Sequence, residues 1–199
     1  QSGNPTVFNT KQVDFDGTDD YLDTNKSDFL GTSDFTISGW IKPEDITNNY
    51  LLGQSEDTNN RLYVRINATS KLQIYSKSGG VEQVATVSTT TIPNNEWLHF
   101  VITADRGANT IIYINGIVDN TDTNSNTSTL SNTGTFRIGS YQFGNAYWNG
   151  QISQVGIWNE ALTADEVSSL YNHGLPIDLT TNQAAYESSS NLVGYWRMG

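Results

Sequence analysis

The chain has no cysteine, a single methionine, four prolines and two histidines. Without cysteine there is no disulfide framework, no thiolate nucleophile and no zinc knuckle. Positive charge is scarce too: 10 Lys and Arg stand against 21 Asp and Glu, a net charge of −11. No basic stripe is present, so nucleic acid is not an expected partner, because phosphate neutralisation dominates such binding. No apolar run approaches the roughly 20 residues of a membrane-spanning helix, so membrane insertion is not expected. Charged residues of both signs reach only 16%, too few for a coiled coil or a helical array.

Neutral polar residues fill the space. The 199 residues include 22 Asn, 24 Thr, 19 Ser and 17 Gly, which favour turns and strands over helix interiors. The length suits one all-β domain over 1–199 that buries enough surface to fold without a staple. Short alternating runs recur: Gln12–Asp16, Phe35–Lys42, Arg61–Ile66, Lys71–Tyr75, Val81–Val87, Trp97–Ile102, Thr135–Gly139 and Gln151–Trp158. Period two with turn residues every 8–12 positions predicts an antiparallel sandwich. Thr110–Ile114, Asn115-Gly116 and Ile117-Val118 predict a hairpin, since Asn-Gly tolerates the positive φ of a type I′ turn. Residues 119–133 are nearly all Asn, Asp, Ser and Thr, and predict an exposed loop or a solvent-facing edge strand.

One short helix is expected after Thr163. Thr163 and Glu166 form a capping box, and Leu162 with Val167 a hydrophobic staple. Val167, Leu170 and Tyr171 give an apolar stripe, with Gly174 expected at the left-handed C′ position and His173 in the last helical turn. Asn191–Met198 predicts a closing strand. The chain begins at Gln1 rather than Met and stops in strand-like sequence, which suggests a piece of something longer.

A catalytic set is hard to assemble. His99 lies within a strand, and both histidines read as structural. There is no Gly-x-Ser-x-Gly elbow and no His-Glu-x-x-His. Glycoside hydrolysis needs two carboxylates at a fixed separation, and no two of Glu44, Glu56, Glu82, Glu96, Glu160, Glu166 and Glu187 share a strand at i, i+2. Asp14 and Asp16 have that spacing, but Asp16 abuts Gly17 at a strand end. Asp16, Asp19 and Asp20 gather hard oxygens suited to Ca2+, and equally suit an Asx-type turn. Residues 140–150 pack aromatics among amides. Tyr141, Gln142, Phe143, Asn145, Tyr147 and Trp148 are the candidate sugar-binding residues, although Phe143 and Trp148 can equally be core plugs. Trp40, Trp97, Trp158 and Trp196 lie in strands and read as packing residues.

Six segments in order resemble laminin-G-like domains of the concanavalin A-like lectin/glucanase superfamily. They are Val13–Leu22, Phe35–Lys42, Trp97–Ile102, Ile112–Gly116, Ile138-Gly139 and Trp148–Tyr171, a signature region of 12–171 followed by a connector and closing strand over 172–199. The resemblance implies a jelly roll of two antiparallel sheets and mostly non-catalytic roles, namely sugar binding, adhesion or packing in multidomain surface proteins. Some members bind one structural calcium; the family often has Asp-Glu where this chain has Ser153-Gln154, which weakens the case for a metal. Leu175–Leu179 and Asn191–Gly199 resemble connectors of large bacteriophage structural and tail-associated proteins. The expectation is a non-catalytic carbohydrate-binding or adhesion module, extracellular or on a virion. Its partners would be a glycan or host-surface polysaccharide and the other domains of its parent protein. A structural decoration or assembly domain without a sugar ligand, and more distantly a glucanase-type hydrolase, are the alternatives.

Overall fold

Alternating apolar side chains need a second apolar layer, and the strands supply it to one another. A computed structural model describes residues 11–27, 30–123, 126–130, 133–142 and 146–198. In chain order the strands are β1 (Val13–Asp16), β2 (Leu22–Asp23), β3 (Phe35–Pro43), β4 (Asn49–Ser55), β5 (Arg61–Ile66), β6 (Lys71–Ser78), β7 (Val81–Thr91), β8 (Leu98–Ala104), β9 (Asn109–Ile114), β10 (Ile117–Thr123), β11 (Arg137–Ile138), β12 (Ser140–Tyr141), β13 (Ala146–Tyr147), β14 (Asn149–Trp158) and β15 (Leu192–Trp196). The helix α1 (Ala164–Tyr171) falls between β14 and β15.

Seven strands form one antiparallel sheet, in the order β1-β14-β3-β8-β9-β10, with β15 also paired to β14. Six form the other, β2-β11-β4-β5-β6-β7, and β12 pairs only with β13. This is the antiparallel sandwich that the strand pattern predicts and the jelly roll that the resemblance implies, with one short α-helix among the described residues. The space between the sheets is filled by Phe35, Ile37, Ile41, Leu52, Val64, Ile74, Phe100, Ile102, Phe136 and Trp148, all fully buried. At one edge the sheets are stitched by side chains: the Asp119 carboxylate accepts from the backbone N–H groups of Thr89 and Thr90, and Asn120 donates to the Val87 carbonyl at 3.0 Å. The segment expected as a loop or edge strand therefore begins as β10, the sheet's edge. The β9–β10 hairpin turns on Asn115 (φ 52°) and Gly116 (φ 75°), both positive as a type I′ turn requires.

A second core covers the outer face of the seven-stranded sheet. Val101, Tyr113 and Trp158 point out of that sheet against Leu162, Val167, Leu170, Ile177, Leu179 and Tyr186. The capping box is present: Glu166 N–H donates to Thr163 Oγ1 at 3.3 Å, and Thr163 N–H to Glu166 Oε2 at 3.0 Å. The helix stops earlier than expected. Asn172 takes the left-handed cap at φ 43°, and His173 (φ 54°) lies beyond the helix rather than in its last turn. Asn tolerates that conformation better than most residues, so Gly174 is not needed for the cap. The predicted closing strand is β15, paired with β14.

His99 is sealed beneath this layer, its ring 4.8 Å from Trp40 and 6.1 Å from Tyr171. Burial pushes its pKa down from 6.5 to about 3, so it is neutral in the folded protein. Unfolding restores the ordinary value, and between pH 6.5 and 3 the unfolded chain then binds a proton that the folded one does not. The neutral ring's contribution is complete above pH 6.5 and is lost on acidification at up to about 1.4 kcal/mol per pH unit. Denaturant unfolding between pH 6.5 and 4.5 should show stability falling with pH in the native protein, and a flatter profile in His99→Phe. Equal slopes would show that His99 is not the group responsible.

Candidate functional site

Among the described residues, no helix packs on the outer face of the six-stranded sheet. On β5, Leu62, Val64 and Ile66 point into the core, so Arg61, Tyr63 and Arg65 point outward by strand alternation. On β6, buried Leu72 and Ile74 leave Lys71, Gln73, Tyr75 and Lys77 on the same outer side. Register then fixes the neighbours: Tyr63 sits opposite Tyr75, Arg65 opposite Gln73 and Arg61 opposite Lys77. Across β4, Tyr50 faces Arg65 and Gly53 faces Tyr63; Arg137 on β11 faces Gly53 from the other side.

These side chains form a continuous layer. The Tyr63 ring is 5.3 Å from Tyr50, 5.4 Å from Tyr75 and 5.0 Å from Tyr141. Tyr141 stacks on Tyr50 at 5.4 Å with 15° between planes. The arginines interleave. Arg65 lies 5.2 Å from the Tyr50 ring centre and 5.3 Å from that of Tyr63, Arg61 lies 5.4 Å from Tyr75, and Arg137 lies 4.1 Å from Tyr21. Arg65 is also fixed by donating to Tyr50 Oη at 2.7 Å and Gln73 Oε1 at 2.8 Å. Burial works against the Arg61 charge, but the Tyr141, Tyr75 and Tyr63 phenols around it hold its pKa above the ordinary arginine value. Burial raises the Tyr63 pKa, keeping that hydroxyl a neutral donor. Tyr63 and Tyr141 are themselves buried, 8% and 5% exposed, so the surface offers the half-buried Tyr50 and Tyr75 rings, guanidinium forks for anions and one amide.

Gly53 makes room for this layer. A Cβ there would lie 2.8 Å from the Leu62 carbonyl oxygen and 3.0 Å from Tyr141 Cδ2. Tyr141 therefore rests on the bare strand backbone between Tyr50 and Tyr63.

The sequence-predicted residues fall in different places. Tyr141 is buried within the tyrosine layer, Gln142 is exposed, and Tyr147 is half-buried. Phe143 and Asn145 lie outside the described residues. Trp148 must be corrected: it is 0% exposed and belongs to the inter-sheet core, so it has no surface to give a ligand. Its neighbours β13 and β14 hold it between the sheets, and the aromatic-amide pattern cannot distinguish a core plug from a surface ring. Tyr50, Tyr63, Tyr75, Arg61, Arg65 and Arg137 were not singled out by sequence. The usable signal was Arg61-Leu62-Tyr63-Val64-Arg65-Ile66, whose alternation puts Arg, Tyr and Arg on one face.

The acidic turn lies at a rim, next to the start of β14. Asp16, Asp19 and Asp20 each bring a carboxylate oxygen within 4.8 Å of the others, and all three are exposed. Asp16 Oδ1 accepts from Thr18 N–H at 2.8 Å, an Asx turn, and Asp20 Oδ2 from Asp16 N–H at 3.2 Å. A cavity of about 440 Å³ beside it is lined by Asp14, Asp16, Asp20, Glu44 and Asn149 among others. Ser153 and Gln154 are engaged elsewhere, donating to the Lys11 carbonyl at 2.6 Å and the Ile177 carbonyl at 3.1 Å.

Two packed antiparallel sheets with one short helix place the chain in the jelly-roll sandwich class. The chain belongs to the concanavalin A-like lectin/glucanases superfamily, a laminin-G-type family model of which matches residues 16–168. No curated protein matches the chain. Among solved structures it is similar to the CBM40 of the Ruminococcus gnavus IT-sialidase bound to α2,3-sialyllactose. That match has 11% identity and TM-score 0.68, and covers 81% of this chain and 97% of that one. It is similar to the native heptameric SAP-like pentraxin of Limulus polyphemus, at 20% identity and TM-score 0.65, over 84% of each chain. Domain 4 of AbnA, a GH43 extracellular arabinanase of Geobacillus stearothermophilus, in complex with arabinotriose, matches at 21% identity and TM-score 0.53, over 75% of this chain and 69% of that one. The chain spans only 51% and 47% of two longer matched structures. At these identities the likeness establishes the fold.

Gly53→Ala tests the layer's construction. Overpacking at this contact should cost about 1–3 kcal/mol and alter the tyrosine signal in near-ultraviolet circular dichroism as Tyr141 is displaced. An unchanged spectrum and stability would show that Tyr141 does not depend on the bare Cα.

Proposed function

We propose that the protein is a non-catalytic carbohydrate-binding module and that the outer face of the six-stranded sheet holds the glycan. The observation that carries this reading is the layer of Tyr50, Tyr63, Tyr75 and Tyr141, stacked and T-shaped against one another on a sheet face that no described helix covers, with Tyr50 and Tyr75 reaching the surface. Sugar rings present C–H faces that pack on aromatic planes, while their hydroxyls need the donors and acceptors supplied here by Gln73 and the phenols. A matched CBM40 and a matched arabinanase domain, each solved with an oligosaccharide, support it. On this reading the module serves a larger adhesive or surface protein, works outside the cell or on a virion, and is oriented by neighbouring domains of that protein. Among the described residues no helix is long and apolar enough to cross a membrane.

Calcium belongs to the same proposal as a structural ion. Asp16, Asp19 and Asp20 are all hard oxygen donors with spare lone pairs, which suits Ca2+. Bound there, the ion would supply only charge and rigidity to the β1–β2 turn. Thermal unfolding with Ca2+ and with chelator should then differ in the native protein by a few degrees and not in an Asp16→Asn, Asp20→Asn double variant. An identical midpoint in both conditions would remove calcium from the proposal.

Binding is tested on a glycan array with the native protein, Tyr50→Ala and Tyr75→Ala. Retention on at least one glycan should weaken at least about tenfold in each variant, as for aromatic anchors at other interfaces. Full binding in both variants would move the site off this face, and silence of the native protein across the array would defeat the module reading.

A further inference from the structure

The charge on this face runs against the charge of the molecule. The chain has ten Lys and Arg and a net charge of −11, yet Arg61, Arg65, Lys71, Lys77 and Arg137 all project from the outer side of one sheet. Half of the protein's cationic side chains thus stand on the face that also carries the tyrosines.

The arginines are oriented by neutral partners. Tyr50 Oη and Gln73 Oε1 fix Arg65 without cancelling its charge. Arg61 and Arg137 are each positioned over a tyrosine ring, and the buried Nε of each finds no hydrogen-bond partner among the described residues. The carboxylates brought nearest by strand register are Asp23, opposite Arg137, and Glu82, opposite Lys77. They sit on β2 and β7, the two edge strands, rather than at the centre, and Asp23 Oδ1 already accepts from Asn25 N–H at 2.9 Å. Ring stacking holds each guanidinium plane while leaving its in-plane N–H groups as donors. The guanidinium donors that remain at the surface are matched best by a carboxylate, which they bind through two parallel N–H···O bonds.

Geometry sets the scale of the ligand. Arg61 and Arg65 flank Tyr63 four residues apart on β5, about 13 Å by strand rise. Arg137 lies two strands away in the Tyr63 row, about 10 Å by strand spacing, with Tyr141 lying over Gly53 between them. The forks therefore surround the ring surface and do not share one point.

We infer that the ligand is an acidic oligosaccharide, a glycan whose sugars carry carboxylates, with the rings on the half-buried Tyr50 and Tyr75 and the carboxylates on Arg61, Arg65 and Arg137. This rests on the carbohydrate-binding reading above and specifies its ligand class. A neutral glycan would leave the guanidinium donors to hydroxyls alone. An anionic one is repelled at long range by the molecule's net charge, so its recognition must come from this local cluster.

The test is an array of carboxylate-bearing glycans, sialylated and uronate-containing, each printed beside its carboxyl-reduced neutral counterpart and beside sulfated glycans. It is probed with the native protein, Arg61→Gln, Arg61→Lys and Arg137→Gln, all first checked for native melting temperature. The native protein should prefer acidic members over their reduced counterparts by about tenfold or more, as losing a hydrogen-bonded charge implies. The preference should shrink as salt is raised. Each Gln variant should lose most of it, and Arg61→Lys should recover only part, since an ammonium keeps the charge without the fork. Equal binding to acidic and reduced members, or to native and Gln variants, would overturn the inference and leave the module reading standing. Binding confined to sulfated members would also overturn it. Binding to nothing would overturn both.

Discussion

Burial of one side of β5 and β6 decides what the other side shows. Leu62, Val64, Ile66, Leu72 and Ile74 sit in the inter-sheet core at 1% exposure or less, and each contributes about 1.5–3 kcal/mol by leaving water. A register slip of one residue would exchange them for Arg61, Tyr63, Arg65, Gln73 and Tyr75. The cost of burying two guanidinium groups and exposing five aliphatic chains forbids that slip. The tyrosine–arginine face is thus positioned by the core, and cross-strand register carries the positioning to Tyr50 on β4 and Arg137 on β11. Its precision does not depend on any loop.

The two outer faces of the sandwich have opposite fates. Over the seven-stranded sheet, α1 and the segment after it bury Val101, Tyr113 and Trp158. Trp158 and Tyr186 are paired there: Trp158 Nε1 donates to Tyr186 Oη at 2.9 Å, which donates to the Leu179 carbonyl at 2.8 Å. Glu166 accepts from Thr163, Glu187 and Ser188 while capping the helix, and those hydrogen bonds hold its pKa below the usual carboxylate value despite partial burial. That side is closed. Among the described residues no helix covers the six-stranded sheet, and tyrosine suits such a face because its ring packs while a hydroxyl at the surface meets water.

Strand alternation, the Asn115-Gly116 turn and the Thr163 capping box were legible in the sequence because each is a local rule obeyed within a few residues. The helix end was not, because Asn172 and Gly174 can both take the left-handed cap and tertiary packing chose the first. Trp148 illustrates a different limit. Composition gathers aromatics and amides into residues 140–150, but which ring faces the core depends on how β12 and β13 meet β4, a long-range contact. The tyrosine layer escaped notice for the same reason. Its members come from β4, β5, β6 and β12, and only the sheet register makes Tyr50, Tyr63, Tyr75 and Tyr141 neighbours. What sequence could show was half of it, the Arg-x-Tyr-x-Arg alternation of β5.

The rings and guanidinium groups on this face are not independent parts. Arg65 touches Tyr50 by stacking and by hydrogen bond, Tyr50 touches Tyr141, and both touch Tyr63. Residues in one such contact network show coupling energies of about 0.5–3 kcal/mol rather than additive effects. Removing Arg65 therefore also frees Tyr50, and removing Tyr63 frees one arginine contact and three rings. Because Arg65 is already ordered by Tyr50 and Gln73, a bound glycan would not have to immobilise that long side chain. That ordering entropy, about 0.5–1.5 kcal/mol for a rotamer-rich side chain, is met in folding rather than at binding. The same rigidity makes the surface selective, since a layer that cannot rearrange accepts only ligands whose planes and charges fall where the strands have already placed the partners.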